Sequence, residues 1–133
     1  MMKNQKKIEL MAPAGDKAML SAVIRSGADA VYFGSSLFNM RTKAKNFDIS
    51  EIEDISKICR QFNVKTYLTI NTIIYENELS ELEKYVRRAK EANIDAIICW
   101  DFAVIELCKK YNMPFVVSTQ ASVSNSKSAE FYK

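Results

Sequence analysis

The stretch Thr66-Tyr67-Leu68-Thr69-Ile70-Asn71 alternates two kinds of side chain, with Leu68 and Ile70 in one phase and Tyr67, Thr69 and Asn71 in the other. Successive residues of a strand point to opposite faces, so the segment reads as a strand with one apolar and one polar face. Four more short runs rich in β-branched and aromatic residues flank it: Ile8 to Ala12, Ala30 to Gly34, Ala96 to Asp101 and Phe115 to Gln120. Sorted in the same way, the outward, apolar set is Ile8, Leu10, Val31, Phe33, Leu68, Ile70, Ile98 and Trp100. The opposite phase holds Glu9, Tyr32, Tyr67, Thr69, Asn71, Cys99, Asp101, Ser118 and Gln120.

Segments with helical spacing separate these runs. Met19, Val23 and Ile24 mark the first and Ile52, Ile55, Cys59 and Phe62 the second. In the third, Leu79, Leu82, Val86 and Ala89 form one stripe, with Glu81, Lys84, Arg87 and Arg88 outside it. Asp16 is placed to cap the first helix, Ser50 with Glu53 to form a capping box for the second, and Asp101 to open the fourth. Gly27, Asn63, Asn93 and Asn112 each precede an apolar residue, the pattern of a left-handed closing residue and its hydrophobic contact. Gly-Ala-Asp-Ala-Val-Tyr at 27–32 is echoed by Asn-Ile-Asp-Ala-Ile-Ile at 93–98, through repetition of a helix-to-strand unit or convergence on the same turn chemistry.

Strands alternating with helices require a mostly parallel sheet with right-handed crossovers. A five-stranded doubly wound sheet fits the 133 residues, whereas a (β/α)8 barrel needs ~250. The polar second phase favours the barrel, because the strands of a doubly wound sheet are apolar on both faces. No G-x-G-x-x-G follows the first strand, and the acidic cluster of a phospho-receiver domain is missing. The expectation is therefore an α/β fold of the parallel (β/α)8 TIM-barrel type, with about the first four to five β/α units present. Residues 1–133 would form the N-terminal part of a single barrel domain, a half-barrel fragment whose unpaired strand edges favour homo-association. The rival is a non-catalytic open-sheet binding module. Strand order separates the two, sequential in a barrel and reversed at the first strand in an open sheet.

Composition narrows the chemistry. With 19 basic and 16 acidic residues the formal charge is +3, which gives no strong nucleic-acid signal. The chain has no histidine, which removes Ser-His and Cys-His pairs and the common zinc sites from these residues. Cys59, Cys99 and Cys108 lack C-x-x-C spacing and read as reduced thiols of a cytoplasmic protein. The apolar run after the basic start, Ile8 to Pro13, contains Glu9 and is too short for a signal peptide or a membrane span.

Parallel strands bring their carboxyl ends to one face, where barrel enzymes build their sites. Those ends are Pro13 to Asp16, Gly34 to Ser36, Asn71-Thr72, Trp100-Asp101 and Ser118 to Gln120. The substrate-binding candidates are Gly15, Gly34, Arg41, Asn46, Asn71, Asp101 and Gln120. Arg41 stands out in a cationic loop with Lys43 and Lys45, since a guanidinium binds carboxylate or phosphate in two-point fashion. Gly15 is first a turn residue, and Asp16 and Asp101 are first helix caps. Glu9 projects inward and needs a partner, expected to be a cation from the rest of the barrel. Asp29 and Asp95, at strand starts, are structural, and Cys99 is an inert buried thiol. No catalytic residue and no metal ligand is assigned.

Glu9-Leu-Met-Ala-Pro-Ala-Gly15-Asp16 and Gly27-Ala-Asp-Ala-Val-Tyr-Phe-Gly34 resemble the opening of the collagenase-like peptidase family, classed among peptidases of unknown mechanism as family U-thirty-two. Arg41, Asn46-Phe47, Tyr67-Leu-Thr-Ile-Asn71, Asp95-Ala96, Ser118-Thr-Gln120 and Asn125 continue the likeness in order. The resemblance implies the N-terminal barrel domain of a longer protein acting on a peptide, an RNA or a small molecule. Some members are described as collagen-degrading hydrolases. Others resemble enzymes that hydroxylate a base of transfer or ribosomal RNA, or a quinone precursor, and carry an iron-sulfur cluster. The cysteines here do not match those ligands, so any such cofactor is expected from the full-length protein and none within this fragment.

Overall fold

A computed structural model of the chain describes residues 7–40 and 45–133. Its strands are β1 (Met11–Pro13), β2 (Ala30–Gly34), β3 (Lys65–Thr69), β4 (Ala96–Cys99) and β5 (Phe115–Val117). They alternate with α1 (Lys17–Arg25), α2 (Ile52–Gln61), α3 (Leu79–Glu91), α4 (Phe102–Lys110) and α5 (Ser126–Phe131). All four strand pairings are parallel and the sheet order is β1-β2-β3-β4-β5. Sequential order is that of a barrel arc and excludes the open sheet with a reversal at its first strand.

The helix ends follow their local chemistry. Gly27, Asn63, Asn93 and Asn112 all have left-handed φ, between 49° and 85°. After each of the three asparagines the apolar residue bonds back into the helix: Val64 N–H to Cys59 O at 2.9 Å, Ile94 N–H to Ala89 O at 3.0 Å, Met113 N–H to Cys108 O at 2.8 Å. Asp16 and Asp101 cap α1 and α4 through Met19 N–H and Ala103 N–H. The expected Ser50–Glu53 box is displaced by two residues. Asp48 and Glu51 form it, around a 3-10 turn at Ile49–Glu51 that leads into α2. Asp48 takes both the amide and the hydroxyl of Ser50, at 2.9 and 2.7 Å, so that hydroxyl serves as donor rather than cap.

The two echoed hexapeptides perform one task. Asp29 Oδ2 accepts Leu10 N–H at 2.9 Å, and Asp95 Oδ2 accepts Thr66 N–H at 2.8 Å. Each aspartate thus ties the strand it begins to the strand before it. This is structural work at the amino ends of the strands, as expected.

Register defines the faces. Val31, Phe33, Leu68, Ile97 and Cys99 are at most 2% exposed and form the core with Leu20, Ile52, Ile55, Leu82, Val86 and Val104 from the helices. The opposite face carries Tyr32, Tyr67 and Ile98, all partly exposed, with Lys65 and Val116 exposed. One assignment is corrected here. Thr69 pairs with Ile98, which pairs with Val116, so Ile98 and Trp100 belong to the inner phase and Cys99 to the helix-facing one. Ala96-Ile97-Ile98-Cys99 is apolar in both phases, so hydrophobicity leaves the phase of β4 undetermined and the neighbouring ladder sets it.

Candidate functional site at the carboxyl ends of the strands

The loop between β2 and α2 folds back over the ends of its own sheet. Ser35 and Phe47 form an isolated parallel bridge, and Phe47 N–H donates to Gly34 O at 3.2 Å. Inside the loop Asn39 Nδ2 donates to Asn46 Oδ1 at 2.6 Å, with Asn39 only 5% exposed. Lys45 reaches Asp16 at 3.3 Å. That lysine and the Met19 amide hold the Asp16 carboxyl below its ordinary range, the amide contributing most.

The two glycines at the strand ends make this closure possible. A Cβ on Gly34 would lie 1.8 Å from Asn39 Nδ2, and one on Gly15 would lie 2.6 Å from the backbone oxygen of Lys45. Both glycines serve close approach, and the chain itself is what approaches. Phe38 adopts a left-handed φ of 57°, uncommon for a bulky residue. It is held by edge-to-face packing on Tyr85 of α3, centroids 5.1 Å apart, and by Asn71 N–H donating to its carbonyl at 3.0 Å.

Asn71 joins this loop to β4. Its Oδ1 accepts Met40 N–H at 3.2 Å, and its carbonyl accepts the indole N–H of Trp100 at 2.8 Å. Asp101 next to it is spoken for twice, by Ala103 N–H at 2.8 Å and by Ile74 N–H at 3.1 Å. It is a brace between the β3 loop and α4. Gln120 lies exposed on a 3-10 turn, Thr119–Ala121, and its amide meets Ser118 Oγ at 3.2 Å.

Of the candidates, Gly34, Asn46, Asn71 and Asp101 are thus linked across β2, β3 and β4, Gly15 joins them through Lys45, and Gln120 stands on the β5 rim. Arg41 and Lys43 lie outside the described residues. Asn39 is a mouth residue that sequence reasoning did not single out, and Trp100 was named only as part of a strand end. Asn39 leaves no local signal, and Trp100 was set in the wrong phase. The described mouth combines side-chain amides and one indole with charges that already have partners, the Asp16–Lys45 pair and the doubly hydrogen-bonded Asp101. The amides and the indole are suited to orienting a ligand by neutral hydrogen bonds.

The thiols do not fit an iron–sulfur cluster. Cys59, Cys99 and Cys108 are each 0% exposed inside the helix-facing core. Burial raises Cys59 to about 11, and the contact with Cys108 together with burial raises Cys99. Cluster ligation needs thiolates gathered at one place, and no group of three potential metal ligands exists among the described residues.

Near the amino ends of the strands Glu9 finds its partners within this chain, contrary to the expected cation from elsewhere. Lys65 Nζ approaches Glu9 Oε2 at 2.7 Å, and Tyr67 Oη donates to Oε1 at 2.6 Å. These bonds lower the glutamate's pKa, Lys65 acting most, while desolvation and the same carboxylate raise Tyr67 to about 12. A depressed carboxyl adds stability above its ordinary value of 4.5 and loses it as pH falls through the lowered one. Melting temperature is therefore expected to drop on acidification below that value, and Glu9→Gln to flatten this part of the profile. Parallel profiles for parent and variant would show that the contacts contribute nothing.

The fold defines an α/β protein of the barrel class, with Gly34, Asn71 and Asp101 gathered at the carboxyl ends of its strands. Residues 15–133 match the model of Peptidase family U32, and the chain belongs to that family. It is 38% identical over 130 residues to a collagenase of Porphyromonas gingivalis, covering 97% of this chain and 31% of that protein. It is 36% identical over 130 residues to tRNA hydroxylation protein P1 of Bacillus subtilis, covering 96% of this chain and 31% of that protein. The solved U32 peptidase Mk0906 superposes with a TM-score of 0.75 at 14% identity, over 97% of this chain and 56% of that one. The chain thus spans about a third of the length of these two relatives. No helix of the described residues is long and apolar enough to cross a membrane.

Proposed function

We propose that the chain forms one wall of the ligand site in a cytoplasmic barrel enzyme that modifies an RNA base. The observation that supports this best is the set of neutral groups, Asn39, Asn46, Asn71 and Trp100, held across three strand ends. Carboxamides, hydroxyls and aromatic rings are the groups that read the edge and face of an unstacked base. Gly34, Asn46, Asn71 and Gln120 would line the base site, Gly15 and Asp101 would hold its walls in place, and Arg41 would meet a phosphate. The name of the Bacillus subtilis relative accords with this reading. A cluster cofactor, where one takes part, would draw its ligands from outside these residues.

The second reading is a peptidase, favoured by the 38% identity to a collagenase. Deleting the gene separates the two. Loss of a pyrimidine nucleoside one oxygen heavier than its parent, seen by mass spectrometry of digested tRNA and rRNA, is the expected result. Unchanged RNA together with lost cleavage of a collagen peptide would replace this function by proteolysis.

A further inference from the structure

We infer that the indole of Trp100 is the platform on which a flat nucleobase stacks when it enters the mouth, an inference that rests on the RNA reading above. Trp100 follows Cys99, the last residue of β4, and continues the inner phase set by the Thr69–Ile98–Val116 register. It stands at the carboxyl end of the concave face, where the ligand site of a barrel lies. It is partly exposed and, among the described residues, is not a member of the hydrophobic cluster under the helices.

Its orientation is fixed by its edge. The indole N–H donates to Asn71 O at 2.8 Å, and Asn71 is itself anchored twice to the β2–α2 loop, through Phe38 O and Met40 N–H. A ring held by its polar edge in this way keeps its π-surface for contact and loses little freedom when a ligand stacks on it. The wall below it, toward the amino ends, is uncharged. Ile98 and Thr69 come first, then Tyr67 and Tyr32, and only beneath them the Glu9–Lys65 pair. On the neighbouring rib Gln120 brings an exposed carboxamide to the rim. One fixed ring, a neutral wall and a rim amide suit a planar heterocycle with donors and acceptors along its edge. The phenyl ring of a peptide side chain would leave those polar groups unused.

This chain has a single tryptophan, and in the full-length protein the difference in emission between the parent and Trp100→Phe reports on this position. Cytidine and uridine should quench that emission saturably, whereas ribose should not. By equilibrium dialysis, Trp100→Ala should weaken nucleoside affinity about 5- to 150-fold, the range that loss of one base–aromatic stack produces. Trp100→Phe, which keeps a ring, should retain most of the affinity. A melting profile like the parent's will show that each variant is folded. Nucleoside binding that leaves the emission unchanged and is equally strong in Trp100→Ala would overturn the platform while the RNA reading stands. Quenching by a phenylalanine peptide but not by nucleosides would overturn both, and failure of both nucleosides to bind would overturn the platform.

Discussion

Gly34→Ala is expected to destabilise the chain by about 1–3 kcal/mol, the usual cost of overpacking, and Asn39→Ala to abolish most of that cost. The added methyl would meet Asn39 Nδ2 at 1.8 Å, Asn39 Cγ at 2.4 Å and Asn46 Oδ1 at 3.0 Å. The carboxamide cannot simply swing aside, because Asn39 is buried and its Nδ2 is bonded to Asn46. Gly34 has no left-handed φ, so the penalty is steric, and reduced freedom of the unfolded chain would by itself favour alanine by about 0.4–1 kcal/mol. In an Asn39→Ala background the two closest of these atoms are gone and only Asn46 Oδ1, at 3.0 Å, remains, so the double-mutant cycle should show a coupling of about 1 kcal/mol or more. Urea midpoints of the four proteins measure it. An equal penalty in both backgrounds would mean that the loop does not clamp the strand end through this amide. Gly15→Ala is the contrasting case. Its obstruction is the backbone oxygen of Lys45, and truncating that side chain should not relieve it.

What could be read from the residues alone follows the range of the forces involved. Left-handed helix closure is a local event between an asparagine or glycine and the turn before it, which is why Asn63, Asn93 and Asn112 could be placed without a structure. The alternation from Tyr67 to Asn71 was equally legible, since the two faces of β3 meet such different surroundings. In β4 both faces are apolar, so only pairing with Thr69 reveals which side Trp100 takes. The site divides along the same line. Parallel topology alone brings Gly34, Asn71, Asp101 and Gln120 to one end. Asn39 and Phe38 enter through the path of a loop, and the partner of Glu9 is Lys65, 56 residues away. Contacts of that separation leave no periodic trace.

The isolated chain is expected to self-associate, with the β5 edge as the principal contact. β1 pairs only with β2 and β5 only with β4, so each presents a free parallel edge among the described residues. The two edges are not equally competent. β1 has three residues and ends in Pro13, which has no N–H to donate, whereas β5 is Phe115-Val116-Val117, with a donor at every position. Val116 of β5 is itself 45% exposed, and in the segment that follows the strand Val123 and Phe131 are 41% and 71% exposed. A formal charge of +3 offers weak repulsion against burying them. Sedimentation at micromolar concentration should show dimers or larger species. Val116→Lys, which sets a cation on the exposed inner face of the edge strand, should raise the dissociation constant at least about tenfold, equivalent to about 1.4 kcal/mol. Because Val116 is already half exposed in the single copy, the substitution should move the melting temperature far less than the association. A parent chain that sediments as a monomer and melts cooperatively would show that the edges are not adhesive. If Val116→Lys unfolds the chain instead of separating the copies, β5 is held by its own core contacts and the adhesive edge lies elsewhere.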